Sequence, residues 1–304
     1  MSWTPQRALE LVAGTPPGGG LDRSARALAR SIEAGRLVDV PVQVVNVGGD
    51  GGRKAWAHIG HRAGDGHVVG ISSPNMTADF LMGVTTADPA RFSPLAILYT
   101  EYIAFVARAD GAIASGADLL ARLAEDAKSV TVALSTSLGN SNHVAVAKVI
   151  QHAGADTRDP KIRVFDTALD AVADVVAGTS DVGAVTAASA VKELSSGELR
   201  AVGISSPTRL SAVYAAAPTW SEQGVDCVVG SWRGVSGPHG LSAKQIAFWE
   251  GLLLAAVATA EWKSDLAKHF WTETYADGAA LRDHLQRERA EMRAVLDGLG
   301  LLSG

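Results

Sequence analysis

Two stretches of this sequence carry the residue types that hold a small anion. Residues 11–24 read Leu-Val-Ala-Gly-Thr-Pro-Pro-Gly-Gly-Gly-Leu-Asp-Arg-Ser. An apolar run (Ala8, Leu9, Leu11, Val12, Ala13) suits a buried parallel strand. Pro16-Pro17 ends it, and Gly18, Gly19 and Gly20 let the backbone turn tightly and lie close to a ligand. Asp22 or Gly20 then caps a helix whose apolar face is Leu21, Ala25, Leu28, Ala29 and Ile32. The free N–H groups of such a helix start attract an anion. A tight strand-to-helix connection with no ligand explains this stretch equally well. The second stretch surrounds Gly139, where Ser135, Ser137, Asn140, Ser141 and Asn142 supply hydroxyl and amide donors ahead of another helix. A carboxylate accepts up to about four hydrogen bonds, so that donor set suits one. Helix capping by Ser and Asn is the alternative reading. His143 serves better as a fixing group for this loop than as a ligand donor.

The elements that position these loops alternate between strand and helix patterns for about the first 205 residues. Residues 40–47 read as a strand, followed by glycines at 48–52 and a helix over 53–61. A strand over 67–71 ends in Ser72-Ser73-Pro74-Asn75-Met76, polar groups at the end of a strand where α/β sheets bind ligands. Residues 94–99 and 102–107 read as two strands, and 116–126 as a helix. The short strand 130–133 runs into the second polar loop and a helix to about His152. Strands are expected at 162–165, 180–186 (ending in Thr186), 199–205 and 225–229, with a helix over 168–177. After Pro238 the chain reads as almost entirely helical: 242–258, 260–270 and 278–296, with no element assigned over 271–277.

Bulk properties narrow the function classes. The 304 residues carry a net charge of −5 and 47% hydrophobic side chains, enough for two domains with a substantial core. That charge argues against nucleic acid as a partner, because no basic stripe is available for phosphates. The single cysteine, Cys227, excludes an internal disulfide and reads as a buried small hydrophobe. No G-x-S-x-G, H-E-x-x-H or C-x-x-C occurs. His58 and His61 lack a carboxylate pattern for a metal site. The glycines before Arg53-Lys54 miss the spacing of a phosphate loop, and no dinucleotide fingerprint is present. Asp22, Asp181 and His143 are the only acid–base candidates, and nothing pairs them. We therefore expect no catalytic residues, no metal and no cofactor. Residues 1–14 do not read as a leader, so the chain reads as cytoplasmic or as a mature segment.

Several motifs in order resemble the solute-binding proteins of tripartite tricarboxylate transporters, the tricarboxylate-binding or Bordetella-uptake-gene family. They are Pro-Gly-Gly-Gly-x-Asp at 17–22 and Val-x-Asn-x-x-Gly-x-Gly-Gly at 44–52. Then come Asp65-Gly66-His67, residues 139–143, and residues 197–203 followed by Ser206-Pro207-Thr208-Arg209. Last are Pro218-Thr219 with Glu222-Gln223-Gly224, and Trp232-Arg233-Gly234 leading to Pro238. The resemblance runs over nearly the whole chain. It implies an α/β, two-lobed type II periplasmic-binding-protein (Venus flytrap) fold with extended hinge crossings. Lobe 1 would be residues 1–107 plus 231–304, and lobe 2 residues 108–230. Carried over by position, Gly18, Gly19 and Gly20 contact a ligand carboxylate with Asn75 beside them. Ser135, Ser137, Gly139, Asn140, Ser141 and Asn142 form the second half, with Thr186 near. Leu21 stands where the family often has Thr or Trp, and Leu138 adds apolar surface.

The function this implies is a monomeric periplasmic receptor that closes on a small organic acid and delivers it to membrane permease subunits. A carboxylate sensor for a signalling partner uses the same pocket, and an enzyme in the same cleft is the remaining alternative.

Overall fold

The computed structural model describes residues 3–302. The chain opens with β1 (Leu9–Ala13), α1 (Gly20–Ala34), β2 (Val42–Asn46), α2 (Arg53–Gly60), β3 (Val68–Ser72) and α3 (Asn75–Leu81). A long strand, β4 (Ser93–Arg108), leads into α4 (Gly116–Asp126), β5 (Thr131–Ser135), α5 (Ser141–His152) and β6 (Lys161–Phe165). Next come α6 (Ala168–Val176), β7 (Val182–Thr186), α7 (Val191–Ser196) and β8 (Leu199–Ile204). The chain ends through β9 (Gly230–Gly237), α8 (Ala243–Val257), α9 (Ala260–Lys268), β10 (Thr272–Asp277) and α10 (Gly278–Gly298).

These elements form two compact units. Unit 1 holds the chain up to Thr100 and Trp232–Ala294, and unit 2 holds Glu101–Ser231 and Val295–Leu301. The chain passes between them inside β4 and inside β9. The sequence reading placed the first passage after residue 107 and kept the whole C-terminal segment in one lobe. Instead, residues 295–301 belong with unit 2, where Leu296 and Leu299 are buried.

In unit 1, β1 pairs in parallel with β2 and β3, so Leu11 lies beside Val44 and Val69. β9 closes on β3 antiparallel, with Ile71 against Val235. Alternate residues of β1 serve opposite faces. Leu9, Leu11 and Ala13 join the main core with Leu28, Ile32 and Trp249, while Val12 packs with Trp56 and Ile59. Leu28 and Ile32 are fully buried, each stabilising the unit by roughly 1.5–3 kcal/mol. That burial fixes the axis of α1, and with it the loop leading from β1.

In unit 2, β5 lies between β6 and β7, all parallel, with Leu134 beside Val164 and Ala184. Every residue of β7 is buried, as a central strand requires. β8 pairs antiparallel with β4, and Phe105 meets Trp220 edge-on at 5.0 Å. The parallel run puts the ends of β5 and β7 at the same sheet edge.

Three expectations fail for identifiable reasons. The two strands expected at 94–99 and 102–107 are one, β4: the polar pair Thr100-Glu101 continues the strand, and Glu101 is only 1% exposed. No strand forms at 225–229, because the backbone there bonds locally and outward: Val225 N–H to Trp220 O, and Val229 N–H to Ser205 O. The C-terminal segment is not all helix, since Thr272–Asp277 forms β10 against β4. Thr100 and Thr274 join their hydroxyls across that pair at 2.8 Å.

Candidate functional site

The glycine loop after β1 is held by a buried carboxylate. Gly19, extended at φ −69° and ψ 169°, is the N-cap of α1 and offers no side chain. Neither Asp22 nor Gly20 caps the helix as expected. Asp22 lies in the first turn, 2% exposed, and its carboxylate accepts the Gly18 N–H at 2.8 Å. It also accepts Asn46 Nδ2 at 2.9 Å and Arg26 Nε at 3.0 Å. Burial alone would raise the Asp22 carboxyl, but the donors from Arg26, Gly18 and Asn46 outweigh it and hold it below the usual carboxylate range. Thr15 Oγ1 accepts the Asp22 N–H at 3.1 Å, and Asn46 Nδ2 donates to Thr15 O at 2.9 Å. Gly18 needs to be glycine here, since its φ is +85°.

The arrangement sorts the predicted donors. The Gly18 N–H is taken by Asp22, and the Gly19 N–H by Pro16 O at 3.0 Å. The Gly20 and Leu21 N–H groups have no acceptor among the described residues. They are the first amides of a 15-residue helix, so the helix dipole points its positive end at whatever they bind. A methyl built on Gly20 would meet nothing within 4 Å, whereas one on Gly19 would sit 2.6 Å from Thr15. Gly20 thus faces open space and Gly19 faces protein. Asn75 opens α3, and it lines one narrow pocket together with Leu21 and Ser73.

The polar loop after β5 uses a different lock. Thr136 and Gly139 take left-handed backbone, at φ +70° and +74°. Asn140 is the N-cap of α5: its Oδ1 accepts the His143 N–H at 3.1 Å, and its Nδ2 donates to Ser135 O at 2.6 Å. The Gly139 N–H donates to His143 Nδ1 at 3.0 Å. Burial pushes the His143 imidazole down to about 4, so at neutral pH the ring is uncharged and Nδ1 accepts. Asn142 Nδ2 donates to Ser135 Oγ at 3.1 Å.

Gly139, Asn140 and His143 therefore shape this loop. The Ser141 and Asn142 N–H groups at the start of α5 have no acceptor among the described residues. Ser137 Oγ is buried and also without a partner among them. Thr186 lies at the same sheet edge, bonded to Ser189 Oγ at 3.0 Å and not to the loop. Sequence reasoning assigned no role to Thr15, Asn46 or Arg26, the groups that hold the first loop. Asn46 stood inside a quoted motif, but only the fold brings it to Asp22.

The acid–base candidates are all occupied structurally. Asp22 holds the glycine loop, His143 is buried and neutral, and Asp181 accepts the Thr131 N–H at 2.8 Å. No cluster of three His, Cys, Asp or Glu side chains among the described residues is arranged to hold a metal. Cys227 is buried, its thiol pushed up to about 12 by burial, and it donates to Ala145 O. No described helix is long and apolar enough to cross a membrane.

Comparison with known proteins follows the same lines. Residues 25–301 match the model of the tripartite tricarboxylate transporter family receptor, TctC. A curated relative, the UPF0065 protein of the tcbD–tcbE intergenic region of Pseudomonas sp. strain P51, is 27% identical over 78% of this chain and 69% of its own. Among solved structures, Rpa4515 of R. palustris with adipate superposes with a TM-score of 0.87 at 19% identity, covering 97% of this chain and 98% of that one. MatC of Rhodopseudomonas palustris with bound malate gives 0.82 at 20%, covering 96% and 99%. The α/β fold is that of periplasmic binding proteins. With the family model matched over most of its length, the chain belongs to the tripartite tricarboxylate transporter receptor family of solute-binding proteins.

Proposed function

We propose that this chain is a periplasmic receptor for a small di- or tricarboxylate or a related organic acid, which it delivers to the permease subunits of a tripartite tricarboxylate transporter. In this reading it acts as a monomer without catalysis or cofactor. In unit 1 the carboxylate donors are the Gly20 and Leu21 amides, with Asn75 beside them. In unit 2 they are Ser137 Oγ and the Ser141 and Asn142 amides, with Thr186 near. Gly18, Gly19, Gly139, Asn140 and Ser135 act by shaping those donors. The observation that carries the reading is the presence, in two separate loops, of helix-start amides with no acceptor among the described residues, each loop held by a buried lock. Neutral donors and two helix dipoles satisfy a carboxylate without needing a cationic side chain. The malate and adipate bound by the two R. palustris relatives support the ligand class.

A thermal-shift screen of C4–C8 dicarboxylates, tricarboxylates and aromatic acids tests the reading. Ligand at a hundred times its Kd stabilises the protein by about 2.7 kcal/mol, a shift of several degrees. A flat response across the whole panel, repeated by calorimetry, refutes it.

A further inference from the structure

Beside the unit 1 glycine loop lies a carboxylate whose position stability does not explain. Asp79 of α3 is 2% exposed. Its Oδ2 accepts Arg53 Nη1 at 3.2 Å, while its Oδ1 is buried and has no partner among the described residues. Burial lifts the Asp79 carboxyl above its ordinary range, and Arg53 pulls it only part of the way back. An unsatisfied buried oxygen is destabilising, and buried polar groups in folded proteins nearly always find a partner. The pocket that Asp79 lines has Leu21, Trp56, Met76 and Phe92 as its apolar walls and Ser73, Asn75 and Thr85 as its polar ones. Its free space is about 20 Å³, room for little more than one water-sized group.

We propose that this pocket selects a hydroxylated carboxylic acid: the ligand's hydroxyl enters between Leu21 and Asn75 and donates to Asp79 Oδ1. The inference rests on the carboxylate-receptor reading above and names the substrate class within it. A hydroxyl fits the volume, where a further carboxylate does not. It is also neutral. Arg53 already balances the Asp79 charge, so an ammonium group would bring a second, uncompensated cation into the pocket that Arg53 lines. An acid lacking the hydroxyl leaves Oδ1 unpaired, and sites built to bond a substrate hydroxyl discriminate strongly against the analogue without it.

Titration calorimetry on the wild-type chain with matched pairs tests this: succinate against malate, glutarate against 2-hydroxyglutarate, tricarballylate against citrate. The expected result is at least one pair in which the hydroxylated acid binds about tenfold or more tighter. In Asp79→Leu that preference collapses to within about threefold, while the unsubstituted acid keeps its affinity. Should Asp79→Leu fail to fold by circular dichroism, Asp79→Ala replaces it, and the wild-type ratios alone still decide. Equal binding within every pair overturns the inference and leaves the receptor reading intact. Tighter binding of aspartate or glutamate than of the hydroxy acids overturns the choice of hydroxyl. If no acid of any pair binds, both readings fall.

Discussion

Gly19 and Gly20 are adjacent, yet the structure assigns them opposite tasks, and a pair of alanine variants separates them. In Gly19→Ala the new methyl would lie 2.6 Å from both Cβ and Oγ1 of Thr15 and 3.0 Å from Pro16 O. Rotating Thr15 moves its hydroxyl but not its Cβ, so the loop backbone must shift. Overpacking of this kind costs about 1–3 kcal/mol. The Thr15–Asp22 hydrogen bond lost with it adds roughly 0.5–1.5 kcal/mol. Urea denaturation should therefore show Gly19→Ala destabilised by roughly 2–4 kcal/mol, from overpacking and the lost bond together. In Gly20→Ala the methyl meets nothing, and the backbone is already helical. Helix propensity favours alanine by up to about 1 kcal/mol, less at a first-turn position. Gly20→Ala should be as stable as wild type or slightly more so. If the ligand takes the Gly20 amide as proposed, the methyl crowds its approach, and calorimetry should show affinity down about tenfold or more, near 1.4 kcal/mol. Unchanged affinity in a stable Gly20→Ala refutes the placement of the ligand at this amide. Wild-type stability in Gly19→Ala refutes the locked-loop account.

Three further outcomes follow from the same contacts. Asp22→Asn removes a charged acceptor from Arg26 and the Gly18 amide, and should destabilise by about 1–3 kcal/mol at neutral pH. Because the folded Asp22 carboxyl titrates below its ordinary 3.8, that difference is complete above pH 4 and fades as pH falls through the lower folded value. Urea titrations at stepped pH check it; a constant difference down to pH 2 contradicts it. For His143, NMR should show the ring neutral until about pH 4, as burial requires. The unfolded chain takes up this proton nearer 6.5, so acidification from 6.5 to 4 weakens the fold by roughly 3 kcal/mol through this group. In unit 2, Gly203→Ala would put a methyl 2.5 Å from the Trp220 ring. A loss of about 1–3 kcal/mol is expected in thermal or urea unfolding, with ligand affinity retained if the fold survives.

Much of this architecture was legible because its strands are buried on both faces and its helices on one. The sequence patterns of β1, α1, β5 and α5 are set by that burial, and the predicted ranges fall within a few residues. What was hidden depends on distant partners. β4 reads as two strands because Thr100-Glu101 is polar, and only the fold buries Glu101. Residues 225–229 are apolar enough for a strand, but their amides are claimed by Trp220 and Ser205. β10 is a six-residue strand between two helices, and its identity depends on the edge of β4 being available. At the site, the glycines and the Ser/Asn cluster were visible as types. Which amides remain open was not, because that follows from Asp22 and His143 folding back onto Gly18 and Gly139.

In the proposed reading, that folding back explains how a site for an acid can contain a carboxylate. A free Asp22 at a helix start would occupy the position an anionic ligand needs and repel it. Here its charge is paired with Arg26 at 3.0 Å, and its oxygens are directed inward to Gly18 and Asn46. The result is a loop held rigid by charge-assisted bonds whose field toward the ligand is largely cancelled. The loop after β5 reaches the same end with a neutral imidazole and an asparagine cap. In both, a side chain bonds backbone three to five residues away, and the next amides of the helix have no acceptor among the described residues. Preorganised donors of this kind lose little entropy when a ligand arrives. In the proposed reading, discrimination among acids then comes from elsewhere, and Asp79 Oδ1, without a partner among the described residues, is the group that would provide it.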